Sequence, residues 1–497
     1  MNSENLIRLN NYETEQIRET YTEGEFILAD YYPPVMRIVR SEAKALIRSK
    51  TVMNDKLTVE GSVEFTMMYL SDDGTITPCT HMLPFTHTCE TKITKDDICE
   101  ISASVSYINT RALSPQKLYL KATVELQTSH TRVTEFSAVI PDSEENVYTR
   151  KAELDSFEVI CSGHKPLKIT DEIKPAARIR SVLRYDVFFN ETEQKILTEK
   201  LISKADMLLK IVYLTHDGDI SAYEQKVAVS QILDMNGLTE DTICGVKYTL
   251  TDCRMTVANS GEEANNSIIY EITVDVDAAG FAKNKHILCC DAFSDKKELK
   301  CTTHMFKSGG FSKISKEQSF RETLDIGLYD KIFDISVLPA VLSTDYDRTT
   351  GILSVSGTFS CRALFRDENG EFSSTEKELP FMLSLQTDCS AENIKVSAEM
   401  YVNSFAYVEN NSSSAELRID CTYKGFLFCS DNVEILTEIN SDGEIFDCVT
   451  DRMTLYFAEK DENIWDISKK YRKDPELLMK TNGLTTDILD EAVMLRI

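Results

Sequence analysis

Residues 56–74 read KLTVEGSVEFTMMYLSDDG, and this stretch predicts a half-buried β-strand that ends in a tight turn. Apolar side chains recur at every second position from Leu57 to Tyr69, so one face of the strand would pack on a core. Asp73 and Gly74 then favour a hairpin, because glycine adopts a positive φ without steric cost. The stretch therefore predicts a pair of antiparallel strands.

The same pattern occurs twice more along the chain. Residues 200–218 read KLISKADMLLKIVYLTHDG, and residues 352–370 read ILSVSGTFSCRALFRDENG. In all three copies an aromatic residue stands five positions before the final glycine, as Tyr69, Tyr213 and Phe365. Because the copies are so far apart, they indicate tandem domains rather than a solenoid.

Further alternating segments follow each copy, and hardly any helical stretch lies between them. These segments lie at 101–107 and 118–126, at 246–250 and 268–276, and at 394–408 and 417–423. Short strands with turn signals are typical of β-sandwiches. The sequence therefore predicts a mainly β protein with three tandem β-sandwich-like domains.

The chain divides into five expected parts. They are an N-terminal segment at 1–24, repeats at 25–140, 160–306 and 320–440, and a different module at 450–497. Polar stretches at 141–146 and 307–318 would connect the repeats, and the second of them contains Gly309-Gly310. Repeats 1 and 2 share a preceding motif, YPPVMRI at 32–38 and IKPAARI at 173–179, which repeat 3 lacks.

The C-terminal module has a different pattern, with two short helices between two strands. The strands are expected at 453–457 and 493–497, and the helices at 463–472 and 475–480. Asn463 suits a helix N-cap, Pro475 suits the first turn of a helix, and Gly483 suits a helix end. The predicted order is β-α-α-β, which makes the module a small α+β domain.

The module resembles the LysM family. The resemblance rests on NIWDISKKY at 463–471, PELL at 475–478 and NGL at 482–484. It implies a module core that includes Trp465, Ile467, Tyr471, Leu477 and Asn482. It also implies a ligand groove between two loops, with the residues Asp461, Glu462, Asn463, Ile464, Leu484, Thr485, Thr486, Ile488 and Leu489.

LysM modules usually bind polymers of N-acetylglucosamine, and two pairs of residues bear on this expectation. Asp461-Glu462 and Glu491-Ala492 stand where the family usually has glycine-containing pairs. Because glycine lets a backbone approach a ligand closely, its loss favours a protein ligand. The basic run of Lys469, Lys470, Arg472 and Lys473 suits either the C-terminus of a helix or a contact patch.

The repeats resemble the SPOCS domain of endospore-forming bacteria. The similarity rests on PPVMRI at 33–38, on VEGSV at 59–63 and on their later copies. Repeated SPOCS domains followed by a LysM module are the architecture of SipL-type spore coat morphogenetic proteins. This resemblance implies a protein of the mother cell, located at the forespore or spore coat surface, that docks a SpoIVA-like ATPase.

The composition excludes some classes of partner and indicates the cellular compartment. The chain has 81 acidic and 54 basic residues, a formal charge of -27 that disfavours binding to nucleic acid. Residues 1–25 lack a signal-peptide pattern, and no run approaches the ~18 apolar residues that span a bilayer. We therefore expect a cytoplasmic protein. Most of the 14 cysteines, such as Cys361 and Cys421, lie in strand patterns and are expected to be buried thiols.

The sequence offers no motif for catalysis. It contains no nucleophile elbow, phosphate loop, dinucleotide fingerprint or HExxH motif, and its seven histidines show no metal-ligand spacing. We therefore expect no cofactor, no metal and no enzyme, but a scaffold of the spore coat that works through its LysM module and its β repeats. Two alternatives stay open: a peptidoglycan-binding protein of the cell wall or cortex, and an uncharacterised hydrolase.

Overall fold

The computed structural model describes residues 5–14, 17–94, 97–139, 146–258, 267–440, 443–446 and 454–497. Within these ranges the chain forms 21 strands, two α-helices and a short 3-10 helix at Asn411–Ser413. The predicted mainly β class is therefore confirmed. None of the helices in the described ranges is long and apolar enough to span a membrane.

The first structural unit, unit 1, consists of two antiparallel sheets that enclose a hydrophobic core. Its strands are β1 Asn5–Thr14, β2 Arg18–Ile27, β3 Val35–Met53, β4 Lys56–Ser71, β5 Ile76–Glu90, β6 Ile98–Ser114 and β7 Lys117–Ala138. β4 lies between β3 and β5 in one sheet, and β7 pairs with β6 and with both β1 and β2 in the other. Alternate side chains of β4 and β7 fill the core between the sheets.

Units 2 and 3 repeat this arrangement. Unit 2 consists of β8 Val147–Ile173, β9 Ile179–Leu197, β10 Lys200–Thr215, β11 Ile220–Asp234, β12 Ile243–Ala258 and β13 Ser267–Ser294. Unit 3 consists of β14 Lys300–Asp325, β15 Tyr329–Asp347, β16 Ile352–Asp367, β17 Phe372–Gln386, β18 Asn393–Asn410 and β19 Ser414–Asn440. In both of these units the second, third and fourth strands form one sheet, and the last strand lies between the first and the fifth in the other.

A β-bulge at the same position relates the three units in detail. The extra residue is Val39 in β3, Leu183 in β9 and Phe333 in β15. A bulge turns a side chain away from the regular alternation of the strand. All three bulged residues are buried in one cluster that also contains Met68, Val212 and Leu364 of the neighbouring strands and Ile76 and Ile220. This cluster contains equivalent residues of all three units. The units therefore surround a common axis that passes through it.

Edge strands close the three units into a ring. β5 contacts β9, β11 contacts β15, and β17 contacts β3. At the last contact the Ser374 hydroxyl donates to the Val39 carbonyl at 2.6 Å, and Arg37 donates to the Phe372 carbonyl at 2.9 Å. The units therefore form a closed pseudo-threefold arrangement, in which each unit contacts both of the others, rather than a linear array.

The observed strands differ from four expectations about the limits of the repeats and their connections. The N-terminal segment at 1–24 is not separate, because β1 and β2 pair along β7. Unit 2 begins at Val147 rather than 160, and unit 3 begins at Lys300 rather than 320. The expected connection at 307–318 lies inside β14, where Gly309 pairs with Ser430 and a Cβ on Gly309 would clash with the Cys429 carbonyl. Gly309 therefore allows close approach of two strands instead of forming a loop.

The predicted hairpin turns are present in all three units. Gly74, Gly218 and Gly370 have φ values of 78°, 86° and 82°, which supports the assignment of glycine to these turns. The cysteines that the structure describes are all free, and Cys361 and Cys421 are buried in the core of unit 3.

The C-terminal module contains β20 Leu455–Ala458, α1 Ile464–Tyr471, α2 Pro475–Asn482 and β21 Val493–Arg496. Asn463 caps α1, since its side-chain oxygen accepts a hydrogen bond from the Trp465 amide at 2.8 Å. α2 starts at Pro475 and ends at Gly483, which has a φ of 66°. Met453, the first residue of the expected strand, lies outside the described residues.

Candidate functional site

The two candidate ligand loops of the C-terminal module lie side by side. The Asp461 amide donates to the Leu489 carbonyl at 2.8 Å, and the Leu489 amide donates to the Glu462 carbonyl at 3.0 Å. The Ile464 amide also donates to the Asp487 carbonyl at 2.8 Å. These backbone bonds join the loops into one continuous surface.

Only part of the predicted loop set is available to a ligand. Ile464 and Leu489 are buried in the module core. Asp461, Thr485, Thr486 and Ile488 are exposed, while Glu462, Asn463 and Leu484 are half-buried. The sequence pattern did not separate these groups, because it identifies loops rather than the direction of each side chain.

The exposed surface of these loops is acidic. Asp487, Asp490 and Glu491 are exposed beside Asp461, and Ile488 is the exposed apolar residue among them, with 53% of its surface accessible. Asp461 has a φ of 69°, in the left-handed region that glycine adopts most easily. The chain therefore keeps a glycine-like backbone at this position while it adds a carboxylate.

The five residues expected in the module core have different roles. Ile467 is buried, and Tyr471 packs edge-on against Tyr456. The Asn482 side chain ties α2 to β21, because its oxygen accepts from the Arg496 amide at 2.7 Å and its nitrogen donates to the Arg496 carbonyl at 2.9 Å. Leu477 is not a core residue: it is 61% exposed, since the buried face of α2 runs through Leu478.

Trp465 is also outside the module core, and it joins the module to unit 2. Its indole N–H donates to the Asp291 carboxylate at 2.8 Å, and its ring packs edge-on against Phe293 with the ring centres 5.0 Å apart. Lys469 donates to both oxygens of the same carboxylate, at 2.7 and 2.8 Å. We call Trp465, Lys469, Asp291 and Phe293 the module clamp. It shows that Lys469 belongs to a contact patch, whereas sequence alone left its role open.

A second polar cluster lies on the axis between the units. This axial ion network consists of Arg40, Glu42, Lys44, Arg184, Asp186, Lys210 and Asp334. Arg184 donates to Asp334 at 2.6 Å, and the Lys210 ammonium lies 2.8 Å from the other oxygen of Asp334. The network therefore connects all three units.

Arg40 completes the network on the side of unit 1. It donates to Glu42 at 2.8 Å through Nε and to the Ser336 hydroxyl of unit 3 at 2.7 Å. The paired strands place Arg40 opposite Met68, Arg184 opposite Val212 and Asp334 opposite Leu364, so these three charged residues occupy equivalent positions.

The charges in the network remain paired at neutral pH. Burial alone would raise the pKa of the Glu42 carboxyl, but Arg184 and Arg40 outweigh it and hold the pKa below its usual range. The pKa of Asp334 is lowered in the same way, since Arg184 and Lys210 outweigh burial. The side chains of Arg40, Glu42, Arg184 and Asp334 are 8% exposed or less, so the network joins the units rather than meeting a ligand.

The described residues contain no group of three or more histidine, cysteine or acidic side chains placed to share a metal ion. The shared strand order of the three units defines a protein built from repeated β domains. A family model described as "SipL, SPOCS domain" matches residues 34–113 and 178–258. These ranges cover β3 to β6 of unit 1 and β9 to β12 of unit 2.

The chain therefore contains two SPOCS domains, at residues 34–113 and 178–258. Its two matched domains are of the SipL type, which connects the chain to sporulation. Neither the search of curated proteins nor the search of solved structures found a match.

Proposed function

We propose that this chain is a non-enzymatic scaffold of the bacterial spore coat. In this proposal units 1, 2 and 3 are tandem SPOCS-type domains, and the C-terminal module is a LysM-type domain that docks a partner protein. Unit 3 lies outside the matched residues, but its strand order and bulge at Phe333 are those of units 1 and 2. The scaffold would act in the mother cell, at the forespore or spore coat surface.

One observation carries the docking role of the module. The module clamp fixes α1 to unit 2, while Asp461, Ile488 and their acidic neighbours stay exposed on the joined loops. A surface with one apolar residue and several carboxylates suits a protein partner better than an uncharged sugar chain. A coat basement-layer protein such as a SpoIVA-like ATPase is the partner that the sequence resemblance implies.

Binding to peptidoglycan is the second candidate function. It is favoured by Asp461, because the positive φ of this residue keeps the loop shape that a glycine would give. The two candidates predict different behaviour of the full-length protein. Protein docking predicts capture by an immobilised basement-layer ATPase and no sedimentation with insoluble peptidoglycan.

Substitution of the exposed loop residue tests the proposal more sharply. Ile488→Asp should weaken capture by the ATPase at least about tenfold, because a central apolar contact is replaced by a charge. Leu477→Asp is the matched control, since Leu477 is similarly exposed on α2 but lies outside the two loops. Sedimentation with peptidoglycan that Ile488→Asp abolishes would contradict protein docking and support the glycan function.

A further inference from the structure

A large vestibule opens on the pseudo-threefold axis, apart from the module and from the axial ion network. It has a volume of about 940 Å³ and is lined by residues of all three units. Its walls include β6 near Glu100, β12 near Lys247 and β18 near Glu399. Among the described residues each of these strands pairs with one neighbour only, so each presents an unpaired edge.

Aromatic side chains line the inner part of the vestibule. Tyr12, Phe281, Phe426 and Phe428 border the space, and the Tyr12 ring stacks on Phe428 with the ring centres 4.2 Å apart. Gly245 lets the Phe426 ring pack directly on the backbone of β12, because a Cβ there would meet the ring at 2.5 Å. The inner surface can therefore pack against the apolar stem of a side chain.

The lysines that border the vestibule are already bound. Lys247 donates to Glu399 at 2.6 Å, Lys424 donates to the Asn190 side chain at 2.7 Å, and Lys50 donates to the Cys99 carbonyl at 2.8 Å. Glu100 has no ion-pair partner within the part of the chain that the structure describes. The Glu100 side chain is accessible from the vestibule, but the protein that surrounds it reduces its solvation and raises its pKa; the nearby carboxylate of Glu399 adds to that rise although Lys247 opposes it. A cation beside Glu100 would relieve this cost.

His130 gives a second, independent sign that the vestibule has an occupant. It borders the vestibule and is 2% exposed, and neither of its ring nitrogens has a hydrogen-bond partner among the described residues, although the Glu13 carboxylate lies 3.7 Å from Nε2. Buried polar groups normally form hydrogen bonds, because an unpaired one costs about 1 to 3 kcal/mol. One ring nitrogen of an uncharged imidazole donates a hydrogen bond and the other accepts one. A bound peptide offers a carbonyl that accepts and an N–H, amine or guanidinium that donates.

We propose that the vestibule binds an extended segment of a partner protein that carries a lysine or arginine side chain. The cationic group bonds to Glu100, and its stem packs on the aromatic residues. The backbone of the segment pairs with one of the three unpaired strand edges, which a free amine cannot do. This site is separate from the loops of the C-terminal module and does not depend on the proposed docking role.

The test uses the full-length protein and a fluorescein-labelled peptide that alternates arginine with valine, followed by fluorescence anisotropy. Saturable binding is expected, with no binding of a peptide that alternates glutamate with valine. Glu100→Gln should weaken binding about tenfold, as expected for the loss of a charge-assisted contact. Glu193→Gln is the matched control, because Glu193 is an exposed acid on β9 with its own partner, Lys204.

A second variant keeps the test decisive if Glu100→Gln is poorly folded. Ser102→Lys places an ammonium on β6, two residues from Glu100 and within the vestibule, and should abolish peptide binding. Thermal unfolding monitored by circular dichroism shows whether each variant is folded. Unchanged affinity in both folded variants, or an equal loss in Glu193→Gln, would overturn the proposal. Displacement of the peptide by an equal concentration of spermidine would also overturn it, since the site would then recognise a free amine.

Discussion

The contact among the three units and the contact between unit 2 and the C-terminal module both depend on charged side chains, but they differ in access to water. On the axis, Arg184 and Asp334 are 2% and 1% exposed. In the module clamp, Lys469 and Asp291 are 46% and 26% exposed. Similar charged pairs therefore form a contact closed to water on the axis and one open to water at the module.

Because the charged groups of the two contacts differ in exposure to water, we expect the two contacts to differ in strength. Removal of one partner from a buried pair leaves an uncompensated charge and costs about 3 to 5 kcal/mol. An exposed pair contributes about 0 to 1 kcal/mol, because water and salt screen it. We therefore expect the ring to persist under conditions that release the module.

The largest effect is expected from Asp334→Asn. The substitution removes the buried carboxylate that Arg184 and Lys210 of unit 2 share, so the free energy of unfolding should fall by about 3 to 5 kcal/mol in urea denaturation. Glu135→Gln, which breaks the exposed pair with Arg8, is the control and should cost no more than about 1 kcal/mol. Equal losses in the two variants would show that the axial network does not hold the ring.

Acid should weaken the ring through the same residues. Because the folded-state pKa values of Glu42 and Asp334 are lowered, the stability that they contribute is present above their unfolded pKa values of about 4 and is lost as the pH falls below them. Urea midpoints should therefore fall between about pH 5 and pH 3. Glu64, whose pKa is raised by burial, acts in the opposite direction. A wild-type midpoint that is flat or rises over this range would contradict the assignment.

The smallest effect on overall stability is expected from Asp291→Ala, which breaks the module clamp. Trp465 is the only tryptophan, so its fluorescence reports the clamp directly. Its emission should shift to longer wavelength as the ring leaves Phe293, while the far-ultraviolet circular dichroism stays unchanged. Glu153→Ala is the control, because Glu153 is an exposed acid of unit 2 that pairs with Lys285 and not with the module clamp. An unchanged emission spectrum would show that Asp291 does not hold the module.

Local sequence patterns predicted the parts of this structure that local chemistry determines. The alternation from Leu57 to Tyr69 identified the strand face that packs in the core of unit 1, and Gly74 identified the turn. The opposite face was not predictable, because the pattern does not show what covers it. Glu64 looked solvent-exposed, yet it is buried and accepts a hydrogen bond from Tyr185 of unit 2 at 2.8 Å.

The candidate site was predictable to a similar degree. Asn463 and Gly483 marked the ends of the helices, since capping is a local property. Trp465 was expected in the module core but packs against unit 2. A buried tryptophan has the same sequence pattern whether it packs in its own domain or against another. One signal of the axial network was visible: Arg40 and Arg184 hold the same place in their repeats, within otherwise apolar strands. Their partner Asp334 was not recognisable, because it comes from a third, distant segment.

Calorimetry of the full-length protein tests the central claim, that three units share one axis and form one closed ring. Val39, Leu183 and Phe333 meet in a single cluster, so the units should unfold together. The account predicts one main transition for the body, with a smaller separate one for the module, and predicts that Asp334→Asn lowers the temperature of the main transition. Three independent transitions for the body, or a main transition that Asp334→Asn leaves unchanged, would contradict it.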